Sequence, residues 1–248
     1  MKKFFIGALA VLMIFSAGCG KSDSPDKPPT FQAEKDAQSN DSTESQRLSK
    51  RANEHNNMGN YNEAITDATE AIRLDPKNSL AYNNRGFAYH NLQNHNAALE
   101  DYNKAIQLDS QNSGFYNNRG WLYIDLKNYN AALENFNEAV QLNSKSKYSY
   151  CGRGITYDLL KNYGAAIEDL NKAIQLDSGY VRAYIERGVT YGNSGNFAQA
   201  AEDLSKAIQL DPKAGRAYYN RGICRRALGD ETGAAADFDK AKQLGYNG

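Results

Sequence analysis

Apolar and small residues recur along this chain with the period of an α-helix, in short bursts separated by polar breaks. Within residues 79–112, Tyr82, Gly86 and Tyr89 fall at i, i+4 and i+7, on one helical face. Ala98, Tyr102, Ala105 and Ile106 trace a second face further on. Between them lies the polar break Leu92-Gln93-Asn94-His95, which reads Leu228-Gly229-Asp230 near the C-terminus. The pattern predicts two amphipathic helices of about three turns each, joined by a tight turn. The second helix is expected to stop at Leu74-Asp75-Pro76 and Leu210-Asp211-Pro212, because proline disfavours helical geometry in the residue before it. Three equivalent turns carry Ser110, Ser144 or Ser178 instead of proline, so they are less firmly specified.

The same 34-residue pattern starts at Ser45, Ser79, Ser113, Lys147, Val181 and Gly215, and its copies run to the last residue. An arginine returns at Arg51, Arg85, Arg119, Arg153, Arg187 and Arg221. It is followed by Ala52 once and then by Gly86, Gly120, Gly154, Gly188 and Gly222. Glycine inside a helix costs about 1 kcal/mol relative to alanine, so five of them need a compensating close approach between helices. Sixteen residues after each arginine comes Asp67, Asp101, Asn135, Asp169, Asp203 or Asp237, on the second helix. Two readings are open: a ladder of arginine-to-carboxylate contacts along the stack, or a solvated charge on each helix.

This arrangement is similar to the tetratricopeptide repeat family over residues 45–248. The resemblance rests on the small residue after each arginine and on the aromatics Tyr89, Tyr123, Tyr157 and Tyr191. It rests equally on the alanines Ala64, Ala98, Ala132, Ala166, Ala200 and Ala234, and on the bulky Tyr102, Phe136, Leu170, Leu204 and Phe238. It implies an all-α fold, a right-handed superhelical solenoid of six helix-turn-helix repeats with an inner groove. In the last copy Arg225, Glu231 and Lys242 replace apolar positions, as a terminal repeat without a covering neighbour requires.

The N-terminus reads differently. Lys2 and Lys3, an apolar run from Phe4 to Phe15 and the small residues Ser16, Ala17 and Gly18 form a signal peptide over residues 1–18. The run is shorter than the roughly 20 residues that span a bilayer. Ala17-Gly18-Cys19 resembles the lipobox of bacterial lipoproteins, which implies cleavage before Cys19 and lipidation of its sulfur. An ordinary secretory signal is the alternative. Gly20, rather than Asp, after the cysteine favours the outer membrane of the cell envelope, facing the periplasm. Residues 19–44 hold Pro25, Pro28 and Pro29 and little to bury, so they are expected to form a disordered tether. As a flexible coil it would reach roughly 25–30 Å.

Catalytic chemistry finds few candidates. The chain has 3 histidines, and His90 and His95 lie five apart, off the four-residue spacing that places two metal ligands on one helical face. Cys151 and Cys224 sit a helix pair apart, too distant for a disulfide. No phosphate loop or nucleophile elbow is present in the sequence. A formal net charge of zero argues against a nucleic-acid partner. The expectation is a protein that is no enzyme and needs no cofactor or metal.

Binding is the better-supported role. The resemblance implies a groove lined by residues of each first helix: Asn83, Phe87 and His90, then Asn117, Trp121 and Ile124, then Ile155, Val189, Tyr219 and Ile223. An apolar stripe among asparagines suits a peptide or helix of another protein. The same residues also admit a plainer reading, in which they seal the joints between repeats. Stacked aromatics with asparagines would alternatively serve a glycan or small ligand. The basic pair that grips a terminal carboxylate in some family members is missing, with Ser49 and Asn53 in the first copy.

Overall fold

The structure is a computed structural model, and it describes residues 31–248. Those residues form twelve helices and no strand. In chain order they are α1 (Phe31–Met58), α2 (Tyr61–Leu74), α3 (Ser79–Asn91), α4 (His95–Leu108), α5 (Ser113–Asp125) and α6 (Tyr129–Leu142). They continue as α7 (Lys147–Leu159), α8 (Tyr163–Leu176), α9 (Val181–Asn193), α10 (Phe197–Leu210), α11 (Gly215–Ala227) and α12 (Glu231–Gln243). From α2 onward each helix packs on the next one in the chain, α1 bonds to α2 through Ser45 and Arg51, and the odd-numbered helices from α3 to α11 also touch one another in succession. That is a solenoid of six hairpins, with the odd helices side by side.

Two kinds of turn punctuate it, each with its own chemistry. Inside every hairpin one residue adopts a left-handed backbone: Gly59, Gln93, Lys127, Lys161, Gly195 and Gly229. The following amide returns to a carbonyl five residues back, as in Asn94 to Tyr89 at 2.8 Å and Asn162 to Tyr157 at 2.8 Å, which closes the helix end. Between hairpins, Asp75, Asp109, Asn143, Asp177 and Asp211 each accept, at 2.9–3.0 Å, from the amide two residues on. The three turns without proline are therefore as fully built as the two with it. The side-chain acceptor, which all five share, makes the turn.

One sequence expectation is corrected. The disordered stretch expected to residue 44 ends earlier, since α1 starts at Phe31 and residues 31–44 are helical. Pro29 is the last proline of that segment, and Gln32, Ala33, Glu34, Lys35, Ala37 and Gln38 are strong helix formers. Extending an existing helix also avoids the nucleation cost. Arg47 holds Glu44 through two hydrogen bonds of 2.6 and 2.7 Å within this extension. The signal peptide, Cys19 and residues 20–30 lie outside the described residues. Contacts divide the chain into Met1–Gln38 and Ser39–Gly248, and the hairpin array falls in the second unit.

The core is built of small residues meeting large ones. Ala64, Ala98, Ala132, Ala166 and Ala200 are fully buried, as are Tyr102, Phe136, Leu170 and Leu204. A Cβ on Gly154 would lie 2.8 Å from Leu170 Cγ and 3.2 Å from the Ala166 carbonyl oxygen. Gly188 repeats the same pair of distances against Leu204 and Ala200. These glycines let the first helix of a hairpin close on the second. By contrast Gly164, in the first turn of α8, has nothing within 4 Å of such a Cβ. Gly154→Val should cost about 1–3 kcal/mol of unfolding free energy through overpacking. Gly164→Ala should gain about 0.5–1 kcal/mol. Urea titration of both variants measures the two signs.

Candidate functional site

Each repeated arginine meets the residue sixteen places on. Arg85 donates from Nε and Nη2 to the two oxygens of Asp101, both at 2.8 Å. Arg153 holds Asp169 at 2.6 and 2.8 Å, Arg187 holds Asp203 at 2.7 and 2.6 Å, and Arg221 holds Asp237 at 2.8 and 2.7 Å. Arg51 pairs with Asp67 in the same way. In the third hairpin the acceptor is the amide oxygen of Asn135, which takes one bond of 2.8 Å from Arg119. Pairing raises the arginine pKa in Arg85, Arg153, Arg187 and Arg221, while burial lowers that of Arg119.

A further contact of these arginines was not legible from the arginine–aspartate spacing. The free Nη1 of five arginines reaches back sixteen residues, into the preceding hairpin. Arg85 meets Thr69 at 3.3 Å, Arg119 meets Asn103 at 2.7 Å and Arg153 meets Asn137 at 3.0 Å. Arg187 meets Asn171 at 2.5 Å and Arg221 meets Ser205 at 3.0 Å. Each guanidinium also lies 5.5–5.7 Å from the ring centre of a tyrosine one turn earlier: Tyr82, Tyr116, Tyr150, Tyr184 and Tyr218. One side chain thus ties three helices together. The signal was present in the sequence as a hydroxyl or amide residue recurring every 34 positions, two after Asp67, Asp101, Asn135, Asp169 and Asp203.

On the odd-helix face lies a cavity of about 600 Å³ walled by α3, α5, α7, α9 and α11. It brings together six of the expected groove residues: Phe87, His90, Asn117, Trp121, Ile124 and Ile155. His90 Nε2 lies 2.7 Å from Asp125 on the next odd helix. Asn193 makes the analogous contact, 2.9 Å, with Asp158. Asn83 stands apart from this cavity and lines a smaller recess of about 370 Å³ with Ser49, Asn53, Asn84 and Asn118. The two recesses share Asn118, so they are parts of one inner face.

The C-terminal candidates are placed differently. Val189 packs on the buried cluster of Tyr184, Ile185 and Leu204, where it seals a joint. The Tyr219 ring lies 5.5 Å from Phe238 and 5.5 Å from Tyr246, so the chain's own last residues stack on it. Ile223 is 36% exposed and stands outside the cavity. Among the cavity residues that the sequence reading missed are the charged Arg182, Glu186 and Arg216. They sit at the start of helices or one turn in, at the repeat positions of Leu80, Gly114 and Asn118, which line the smaller recess. Tyr102 Oη and Asn117 Oδ1 are buried at this cavity without a hydrogen-bond partner among the described residues.

Among the described residues no cluster of three or more histidines, cysteines or carboxylates could hold a metal ion. Cys151 is wholly buried and burial pushes its thiol up to about 12; Cys224 is raised less, for the same reason. Among the described residues no helix is long and apolar enough to cross a membrane.

Family models described as tetratricopeptide repeat match residues 79–112, 115–146, 148–180 and 185–246, and a further TPR repeat model matches 52–93. The chain belongs to the tetratricopeptide repeat family. No curated protein matches it. Among solved structures, a tetratricopeptide repeat protein from Parabacteroides merdae is 28% identical, with a TM-score of 0.66, and the match covers 81% of this chain and 78% of that one. PilW, described as a widely conserved type IV pilus biogenesis factor, is 20% identical with a TM-score of 0.74, covering 80% and 92%. YrrB, described as a TPR protein with an unusual peptide-binding site, is 23% identical with a TM-score of 0.55, covering 71% and 91%. At those identities the last two show the shared repeat fold.

The arginine network yields a graded expectation. Arg187→Ala should cost about 3 kcal/mol, because it leaves the Asp203 carboxylate buried and unpaired. Arg119→Ala should cost only about 1–2 kcal/mol, because the neutral Asn135 is cheaper to abandon. Equilibrium unfolding in urea measures both.

Proposed function

We propose that this tetratricopeptide repeat protein is a scaffold whose inner face holds a segment of another protein. The observation that carries this reading is the cavity between α3 and α11. It offers the apolar Phe87, Trp121, Ile124 and Ile155, and two buried polar atoms that have no partner among the described residues. Tyr102 Oη has its pKa pushed up by burial, so it is a neutral hydroxyl that can donate or accept. Asn117 Oδ1 can accept, and a peptide backbone supplies one donor and one acceptor per residue. A large aromatic beside unsatisfied polar groups is the composition of an interface anchor. The repeat fold also serves peptide binding in YrrB.

The proposal includes the chain's setting. Its N-terminus carries a lipid on Cys19 after removal of residues 1–18, which holds the array at the bacterial envelope, at the outer membrane facing the periplasm. Support comes from the basic, apolar and small-residue order before Cys19. The array itself performs no catalysis in this reading, and its partner is a protein, with no nucleic acid and no cofactor. A second reading is favoured by the smaller recess, where Asn53, Asn83, Asn84 and Asn118 surround Leu80 and Phe115. Amides around an apolar patch suit a glycan.

Crosslinking on intact envelope, followed by affinity capture, tests the choice. The protein reading predicts a captured partner that is lost in Trp121→Ala and Phe87→Ala at unchanged thermal stability. Retention of isolated peptidoglycan, with no protein recovered, contradicts it.

A further inference from the structure

Three charged side chains at the far wall of the cavity have an uneven account. Glu186 is 6% exposed, and its two oxygens accept from Nη1 and Nη2 of Arg216 at 2.7 and 2.8 Å. That carboxylate is therefore fully engaged. Arg182 approaches the same group only through Nε at 3.5 Å, and it donates no hydrogen bond to any described residue. Its guanidinium instead lies 4.1 Å from the centre of the Trp121 ring, across the cavity from a helix two hairpins away. Contact with an indole face restrains a guanidinium, and with 48% of its side-chain surface exposed Arg182 keeps donors open to solvent.

The other carboxylates near this space each have a hydrogen-bond partner on an adjacent odd helix. Asp125 pairs with His90, and Asp158 accepts from Asn193. Arg182 and Arg216 thus bring two positive charges against the single carboxylate of Glu186. The fork of Arg182 remains half exposed, at 48% of its side-chain surface, with its donors unused. A planar fork held on an aromatic face is matched by a carboxylate, which accepts two parallel bonds.

We propose that Arg182, stacked on Trp121 and flanked by the Glu186–Arg216 pair, is a subsite that reads an acidic side chain in an extended peptide lying along the inner face. The proposal rests on the peptide-groove reading above and adds the chemistry of the ligand. An internal aspartate or glutamate is the fitting source. The cavity continues past Trp121 to the recess at Asn118, so a peptide seated at Arg182 has room to run on along the inner face toward the N-terminal hairpins. Glu186 serves as a positioning residue, since it holds the second cation in place and stops it from competing for the ligand.

The test uses the single tryptophan of the chain, Trp121, as its reporter. The probes are two pools of N-acetylated, C-amidated 12-residue peptides without tryptophan, one with Asp or Glu fixed at a central position and one with Asn or Gln there. The acidic pool should shift Trp121 emission with an affinity about ten-fold higher or more, the scale of one charge-assisted contact. Arg182→Gln should reduce that preference to below about three-fold while leaving the melting temperature and helical content unchanged. Arg182→Lys should keep only part of it, because the charge stays and the fork is lost. Equal binding of both pools overturns the subsite and leaves the groove reading intact. A third pool has Asn or Gln at the centre and a free C-terminal carboxylate, and binding by that pool alone overturns the side-chain assignment. Absence of an emission shift with every pool sinks the subsite; captured envelope partners then show whether the groove reading falls with it.

Discussion

The array depends on one side chain used five times over. From the second hairpin onward, the repeated arginine pairs with its own hairpin's second helix, touches the second helix of the hairpin before, and lies over its own helix's tyrosine. Within Arg153 these contacts are Asp169, Asn137 and Tyr150. A lysine could not make them, since they use the separate donors of a planar fork. The glycine next to it is the other half of the constraint. Gly154 lets α7 approach α8 so closely that Leu170 fills the space a side chain would take. Bringing the helices together is what puts the arginine within reach of both neighbours, so the pair Arg-Gly acts as a unit.

That constraint shapes the inner face. Because every hairpin meets its neighbour through the same contacts, the odd helices line up side by side and curve inward. The curvature brings Arg182 of the fifth hairpin against Trp121 of the third, with Ile155 of the fourth lining the same cavity. Polar pairs then recur across adjacent odd helices: Asn83 with Asn118, His90 with Asp125 and Asp158 with Asn193. These pairs hold groove side chains in place, which lowers the cost of binding an extended segment. At the C-terminal end the face is closed instead, where Tyr246 covers Tyr219.

Much of the fold was legible because it repeats. The 34-residue spacing gave the starts of α3, α5, α7, α9 and α11 at Ser79, Ser113, Lys147, Val181 and Gly215, since helix periodicity and turn residues fall at the same offsets each time. What was not legible has a physical reason in each case. The turns between hairpins looked dependent on proline, but a side-chain oxygen at Asp109 or Asn143 forms them, and that acceptor is less conspicuous in a sequence. Residues 31–44 looked too polar to fold, yet a helix already started downstream extends through them. In the groove, Phe87, Trp121 and Ile155 followed from position within the repeat. Arg182, Glu186 and Arg216 did not, because their meeting depends on the rotation accumulated over several hairpins.

The hairpins are interchangeable units joined by equivalent contacts at the same repeat positions. Removing residues 147–180 tests this most directly, because it places Arg187 where it can reach Asn137 in place of Asn171. Urea unfolding of that five-hairpin chain should remain cooperative, with a denaturant slope lower by about one sixth, in proportion to the surface exposed. A chain that loses its helical content on that deletion would contradict the account.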